Sequence, residues 1–313
     1  PGDAPTLEIL GLLAGTIGLP FVLLAATSPL LQAWLAGETF APRVFRLYAL
    51  SNIGSLLALV AYPFALEPWF GRDTQAWAWS AGYGAFALCT LVVALRRGIK
   101  PAKPPEPEPD EAGASLARRL VWVVLAGCGV WMLMAVTNRM SINIAPTPFL
   151  WVLPLSLYLF SFVIAFSGVR WYRRKVMIPL MLAAFVAFSI SGAASLDVPI
   201  ALHIAMFALA LLIVCLVLHA ELYRLRPGPA RLTGYYLSVA FGGALGGVLV
   251  GVVAPHVFPM YWEFEVGQVL CLFAVLSALA GDPSHRLYRF RLWYAWAMIA
   301  LGLLFWADLQ RHT

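Results

Sequence analysis

The sequence predicts an all-α polytopic integral membrane protein, and three observations carry that prediction. The 313 residues are 62% hydrophobic and only 12% charged, whereas soluble domains are roughly 45–50% apolar and about 25% charged. Mean hydropathy is +0.83. The apolar residues form continuous runs, and a run of about 18 residues can span a hydrocarbon core of about 30 Å. Because each backbone polar group in that core needs an internal partner, we expect the runs to be helices.

About ten runs are long enough to be transmembrane helices. The ninth run is short, and we expect it to extend back toward Glu263. In chain order, the predicted spans are Glu8–Thr27, Leu47–Leu66, Gln75–Leu95, Leu120–Met140, Phe149–Phe166, Val176–Ala194, Ile200–Glu221, Thr233–Val253, Gly267–Ala280 and Leu292–Asp308.

Basic residues alternate between successive loops and predict the orientation. The loops after the odd-numbered spans are basic, with Arg173, Arg174 and Lys175 after the fifth as an example. The loops after the even-numbered spans are poor in Lys and Arg. The positive-inside rule then places the basic loops in the cytoplasm and both termini of the chain outside. An outside N-terminus without a signal peptide leads us to expect further helical segments before Pro1.

A stretch rich in Pro and Glu divides the spans into two groups. Lys100–Gly113 reads KPAKPPEPEPDEAG and contains no apolar run, so we expect an extended, solvated linker. The predicted domains are a first helical group of about three spans (residues 1–97), a cytoplasmic linker (98–117) and a second group of about seven spans (118–313).

Polar side chains within or beside the spans are candidates for a substrate site, because such groups are costly in lipid. Arg139 ends the fourth span and can pair with acidic residues predicted on the same side. The alternative is that Arg139 extends to the membrane interface. The candidate substrate-binding residues are Asn52, Glu67, Asn138, Arg139, Asn143 and Glu263.

His219 and Glu221 lie near the inner end of the seventh span and are candidates for gating or proton handling. The alternative is an interfacial anchor. His203 lies on the same span, about 24 Å from His219 along a helix, so the two cannot share a metal. The four cysteines lie inside apolar runs and are interpreted as buried hydrophobic residues. We predict no metal, no cofactor and no catalytic residue.

The eighth span is rich in glycine, and its glycines form small-xxx-small pairs that allow close helix packing. The alternative is a sliding or hinged face in a transporter. The glycines assigned to helix packing are Gly242, Gly243, Gly246, Gly247 and Gly251. The first span contains Pro20 and is followed by Pro29, which predict either a kink or a broken helix beside a substrate site.

Several stretches resemble the membrane part of the bacterial fused MFS/spermidine synthase family. They are TSPLLQAWLA (Thr27–Ala36), LYALSNIGSLLALVAYPFALEP (Leu47–Pro68), PFLWVLPLSLYLFSFVIAF (Pro148–Phe166) and the segment from His219 to Phe258 that leads into YWEFEVG. The resemblance implies an MFS-like helical bundle in the inner membrane that lacks the family's initial helices and its aminopropyltransferase domain. The family pattern has an acidic residue where Asn143 stands, so an acid's role does not carry over to that position.

The sequence therefore predicts an MFS-like transporter, or a transport-related module, for a small and polyamine-like metabolite. The alternative is a non-catalytic accessory subunit of a larger membrane complex. We do not expect an enzyme, because no convergent acid, base or metal groups are found. The net charge of +6 is attributed to cytoplasmic loops and not to nucleic-acid binding. Expected partners are the lipid bilayer and either other membrane subunits or an upstream helical segment.

Overall fold

The structure is a computed structural model that describes residues 5–36, 44–97, 116–143, 149–193, 199–228, 231–258 and 262–282. These residues are helical apart from short turns, and no strand occurs among them. The predicted all-α fold is therefore confirmed.

Eleven α-helices occur in the described residues, and some join through π-helical turns into longer stretches. The α-helices are α1 Pro5–Leu13, α2 Leu19–Ala36, α3 Val44–Ala61, α4 Arg72–Arg97, α5 Leu116–Asn143, α6 Phe149–Ser167, α7 Arg174–Ala193, α8 Ile200–Arg224, α9 Leu232–Val248, α10 Ala254–Val257 and α11 Glu263–Ala280. The π-helical segments are Ala14–Gly18, Tyr62–Leu66 and Leu249–Val253.

Within the described ranges, 8 helical stretches are long and apolar enough to cross a membrane. They match the predicted spans one to five and seven to nine, and α7 (20 residues) covers the sixth. The ninth span does begin at Glu263. The tenth predicted span, Leu292–Asp308, and most of the 98–117 linker lie outside the described residues. Leu116 and Ala117, assigned to the linker, already belong to α5.

Proline widens the first long helix instead of breaking it. The π-helical segment Ala14–Gly18 ends two residues before Pro20, and Leu249–Val253 stands in the same register before Pro255. Proline has no N–H and its ring crowds the carbonyl four residues back, and a π turn is one way for a helix to absorb that distortion. The helix then continues through Pro29 to Ala36, so the broken-helix alternative is not what the structure has.

The long helix α5 lies at the centre of the bundle and packs against α6, α8, α9 and α11. In the span Leu116–Ile142, 50% of the most apolar window is buried. The closest approach is to α9, where a β-carbon on Gly242 would lie within 3.0 Å of Val123 and one on Gly246 within 3.0 Å of the Gly127 carbonyl oxygen.

The other glycines assigned to packing also face α5. Gly243 and Gly247 lie beside Val130, and Gly251 lies beside Met134. The α5–α9 interface is therefore formed partly by backbone contacts, as small residues allow in membrane helices.

The first four helices are largely exposed, although α3 packs along α6. The stretches Leu7–Thr27 and Arg72–Arg96 have 0% of their windows buried, and Leu47–Leu66 has 6%. On α3, the ring of Tyr48 packs against Phe166 on α6 and Tyr236 on α9. The tightly packed core therefore lies in α5–α11.

Candidate functional site

Near its end, α8 is buried on every side over Val217–Leu222, just before the half-buried Tyr223 and the exposed Arg224. Each residue from Val217 to Leu222 is buried, including His219 and Glu221, which have no exposed surface. A helix that is buried all round cannot direct a polar side chain to solvent. Both polar residues must therefore find partners inside the protein.

The Glu221 carboxylate accepts three hydrogen bonds from two residues near the start of α7, Tyr172 and Arg174. The guanidinium of Arg174 binds it in a bidentate manner, with Nε 2.7 Å from Oε1 and Nη2 2.7 Å from Oε2. The hydroxyl of Tyr172 donates to Oε1 at 2.8 Å. A planar guanidinium matches a carboxylate in this way, and bidentate charged pairs are among the stronger hydrogen bonds in proteins.

The same arginine reaches a second carboxylate just beyond the end of α11. Arg174 Nη1 lies 2.5 Å from Oδ2 of Asp282, and Arg224 Nη2 lies 4.0 Å from that oxygen. We refer to Tyr172, Arg174, Glu221, Arg224 and Asp282 as the ion network. It joins the α6–α7 turn, the start of α7, the end of α8 and the end of α11, and this is the network end of the bundle.

Local backbone geometry explains how these side chains reach one another. Gly168 follows α6 with a φ of 140°, a conformation that L-residues with a side chain rarely adopt. The chain turns back there, and Tyr172 N–H bonds the carbonyl of Val169 at 3.1 Å. Asp282 N–H bonds the carbonyl of Leu279 at 3.2 Å in the turn that closes α11.

Tyr172 remains a hydrogen-bond donor throughout the physiological pH range. Its burial, and then the negative charge of Glu221, raise the pKa of Tyr172 above its ordinary value. Both causes disfavour the phenolate.

Two large aromatic side chains complete the end of α8. The last carbonyls of a helix have no partner within the helix. The indole Nε1 of Trp122 donates to the carbonyl of Leu225 at 3.0 Å, and the hydroxyl of Tyr235 donates to the carbonyl of Leu222 at 3.0 Å. These bonds fasten α5 and α9 to the helix that carries Glu221.

His219 faces the interior between α5 and α6. Its Nδ1 lies 2.8 Å from Ser161 Oγ, and Ser161 donates its own proton to the carbonyl of Tyr158 at 2.6 Å. Ser161 must therefore accept from Nδ1–H, so this network assigns the proton to Nδ1. The other ring nitrogen, Nε2, is buried without a hydrogen-bond partner, and a β-carbon at Gly129 would lie 3.1 Å from it.

The two gating candidates of the sequence thus differ in their surroundings. Glu221 belongs to the ion network, whereas His219 stacks on Phe162 with ring centroids 3.6 Å apart. An interfacial anchor would be exposed at the end of the bundle, and neither residue is. Burial of both side chains disfavours an interfacial anchor, and a role in gating stays a prediction.

The six candidate substrate residues are not gathered at one place in the described part of the chain. Asn52 donates to the carbonyl of Tyr48 in its own helix at 2.8 Å. Glu67 is exposed in the turn after the π-helical segment of α3, and its N–H bonds Tyr62. The side chain of Asn143 lies outside the described residues.

The remaining candidates lie where α5 ends beside α11. The guanidinium of Arg139 lies 5.7 Å from the centre of the Phe264 ring, and Asn138 is half-buried next to it. Glu263 is buried, and its carbonyl accepts from Trp131 Nε1 at 2.5 Å. Among the described residues, Arg139 therefore contacts an aromatic ring and forms none of the ion pairs expected from the sequence.

Sequence reasoning missed Tyr172, Arg174 and Asp282 as members of a site. The sequence predicts only that Arg174 is one of the basic residues that mark the cytoplasmic loops. The available signal was the opposite charge: Glu221 and Asp282 are acids at helix ends in otherwise basic loops. An acid in such a position needs a cationic partner.

Comparison with known proteins gives no relative: no protein family, no curated protein and no solved structure matches this chain. The resemblance to the fused MFS/spermidine synthase family stays a prediction. The described residues also contain no group of three or more His, Cys, Asp or Glu side chains that could hold a metal ion.

Proposed function

We propose that this chain is a transport-related membrane module and that the ion network is its gate at one end of the bundle. The observation that carries the proposal is Glu221, a carboxylate with 0% side-chain exposure held by Arg174 within a membrane helix. Ionisable residues inside membrane helices are costly and commonly belong to transport or gating machinery.

A buried ion pair is better suited to a gate than to a permanent fastening. Removing two charges from water costs several kcal/mol per ion, roughly, and their attraction often repays little more than that cost. The ion pair therefore contributes little net free energy to the closed arrangement. A ligand or a proton that binds the open arrangement better can then shift the equilibrium between closed and open by roughly a few kcal/mol. His219 precedes Glu221 by two residues on α8. Its Nε2 atom has no hydrogen-bond partner and can therefore accept a bond from such a ligand.

The orientation that we propose follows from loop charge. Arginines cluster at the network end, among them Arg118, Arg170 and Arg224, and the positive-inside rule assigns that end to the cytoplasm of a bacterial inner membrane. The substrate that we propose is a small metabolite, for which the family resemblance suggests a polyamine-like molecule.

Flux measurements test the proposal. The purified chain in proteoliposomes is given a panel of labelled polyamines, amino acids and organic anions, with empty liposomes as the background. We expect uptake of at least one compound, and Glu221→Gln should change its rate by about tenfold or more. Arg173→Gln, an exposed neighbour of the network, should leave the rate unchanged. Absence of flux for the whole panel would count against transport.

The second candidate is an accessory subunit, and the exposure of the first four helices favours it. Large apolar side chains such as Trp77, Trp79 and Leu88 are exposed on α4, and another membrane subunit could cover them as well as lipid could. Purification from native membranes with a mild detergent distinguishes the two. Stable co-purification of one membrane partner, lost on replacing Trp77 and Leu88 by alanine and serine, supports the subunit, and a monodisperse partner-free particle opposes it.

A further inference from the structure

His219 carries a buried acceptor that the ion network does not use. Its Nδ1–H donates to Ser161, so Nε2 holds the lone pair of the neutral ring. The side chain has no exposed surface, and Nε2 has no hydrogen-bond partner among the described residues. An unpaired buried acceptor costs free energy, and in a native protein it calls for an explanation in strain or in function.

The side of Nε2 that faces α5 has little room for a heavy atom. A β-carbon on Gly129 would lie 3.1 Å from Nε2 and 3.4 Å from Cε2 of Tyr158. The ring of Phe162 stacks on the imidazole with centroids 3.6 Å apart, and the ring of Tyr158 meets it at 5.0 Å with the planes 79° apart. A ligand with heavy atoms of its own would have to displace these neighbours, whereas a proton adds none.

A proton on Nε2 would have no counter-charge in this arrangement. The helices packed against α8 are α5, α6, α7 and α11. The titratable side chains in the middle turns of α8 and of these helices are Cys128, Tyr158, Cys215 and Cys271, which are uncharged in their ordinary form near neutral pH. Glu221 follows on α8, but its carboxylate is bound by Arg174. An imidazolium here would therefore be a buried charge without an acceptor for Nε2–H, which is strongly disfavoured.

We propose that Nε2 of His219 is the binding site for the proton that opens the ion network. This inference rests on the proposed function, since it names the ligand that shifts the gate. An open arrangement that admits water to Nε2 supplies an acceptor for the new N–H, so it binds the proton more tightly than the closed one does. A ligand shifts an equilibrium toward the state that binds it better. Lowering the pH therefore opens the network, and raising the pH closes it.

Accessibility of the interior at two pH values tests this coupling. The probe is Ala165→Cys, a fully buried position on α6 one turn closer to the network end than Ser161, in a chain whose four cysteines are replaced by alanine or serine. A small impermeant thiosulfonate labels it in inside-out vesicles at about pH 8 and about pH 5.5, on either side of the ordinary histidine range. Because thiol reactivity itself depends on pH, each rate is divided by that of Arg173→Cys, an exposed position.

Matched histidine variants assign the effect. With His219 present, the normalised rate should rise by about tenfold from the higher to the lower pH, the size of a one-proton linkage. With His219→Gln, which cannot take up the proton, it should stay within about twofold. His256→Gln removes an exposed histidine at the other end of the chain's α9–α10 stretch, and it should keep the full response.

Protonation is also measured without reference to the gate. Nitrogen NMR of the full chain, labelled at histidine and held in nanodiscs, distinguishes an Nδ1–H ring from a doubly protonated one. The His219 signal is assigned by its displacement in Ser161→Ala, so this measurement stands even if His219→Gln fails to give a monodisperse, folded protein. We expect the Nδ1–H form at about pH 8 and a second proton at about pH 5.5. A ring that stays neutral at the lower pH overturns the proposal.

Glu221→Gln separates failure of this inference from failure of the gate. If Glu221→Gln accelerates labelling of Ala165→Cys but pH does not, the gate stands and the proton site is wrong. If neither change affects the rate, the gate itself is wrong and the proton site falls with it. A pH response that is equally large with His219→Gln also overturns the proposal, because the proton then binds elsewhere.

Discussion

Glu221 brings a negative charge into a part of the bundle where its side chain has no exposure. Arg174 satisfies both of its carboxylate oxygens, and Tyr172 adds a third bond. The cost of removing one partner is thus set by the charge left behind, and not by the strength of one bond. Two predictions at the scale of the residue follow from this asymmetry.

The first prediction concerns Arg174. Arg174→Gln should lower the free energy of unfolding by about 3–5 kcal/mol, because it leaves the Glu221 carboxylate buried without a compensating cation. Arg173→Gln, at the exposed neighbouring position, should change it by less than about 0.5 kcal/mol. Chemical unfolding in detergent, followed by tryptophan fluorescence, provides the measurement.

The double variant Arg174→Met with Glu221→Leu sharpens this prediction. Because both charges are removed together, it should be more stable than Arg174→Gln alone. A double variant that is less stable than the single one would mean that the pair is a strong net fastening, which is incompatible with a gate that opens readily.

The second prediction concerns the Tyr172 hydroxyl. Tyr172→Phe should cost about 1.5–3 kcal/mol, the usual range for a hydrogen bond to a charged group. Since the pKa of Tyr172 is raised by burial and then by Glu221, the loss should be the same at about pH 6 and about pH 9, below the ordinary tyrosine pKa of about 10. Tyr62→Phe is the control because Tyr62 is 46% exposed, and a loss confined to high pH would contradict the prediction.

At the scale of the helix, the α5–α9 interface depends on the absence of side chains. The glycine pattern predicts that α9 approaches another backbone closely, but it carries no information on which helix that is. The structure identifies α5 and shows two close backbone contacts, Gly242 with Val123 and Gly246 with Gly127. The partner depends on packing between segments distant in sequence, so a local pattern could not predict it.

The third prediction tests this interface. Gly246→Ala should destabilise the chain by at least about 1–3 kcal/mol, the usual cost of overpacking, because its β-carbon would overlap the carbonyl of Gly127. Gly54→Ala is the matched control in α3, where a β-carbon would meet nothing within 4 Å. It should be neutral or stabilising by about 0.5–1 kcal/mol. The measurement is the thermal unfolding midpoint of each variant. Equal shifts in the two variants would contradict a close α5–α9 contact at Gly246.

At the scale of the whole molecule, the transmembrane spans could be predicted from the sequence, whereas the contacts between distant segments could not. Hydropathy located most of the spans because the energy of lipid exposure is nearly local in sequence. The ion network was not predictable in the same way, since Arg174 and Asp282 are separated by 108 residues and meet only after folding. Similarly, Arg139 packs on Phe264, whereas charge alone suggested acidic partners.

The fourth prediction addresses orientation. In a chain whose four cysteines are replaced by alanine or serine, single cysteines are introduced as Arg173→Cys at the network end and as Asp73→Cys in the first turn of α4. An impermeant maleimide should label Arg173→Cys in inside-out vesicles but not in intact spheroplasts. It should label Asp73→Cys in intact spheroplasts but not in inside-out vesicles. Labelling of both from the same side would refute the assigned topology.

Opening of the network is the central claim, and the accessibility of Ser161 measures it most directly. Ser161 is fully buried beside His219, about 9 Å from the network end of α6 at 1.5 Å per residue. The probe is Ser161→Cys in the cysteine-free chain, labelled by a small impermeant thiosulfonate in inside-out vesicles. Ala135→Cys, equally buried in α5 toward the other end, is the control for general loosening.

We predict slow labelling of Ser161→Cys with the network intact, and labelling at least about tenfold faster after Glu221→Gln, with Ala135→Cys unchanged. That result means that the network alone limits access to the interior. Rates at Ser161→Cys that do not respond to Glu221→Gln, or that rise together with those at Ala135→Cys, would contradict the account of the network as a gate.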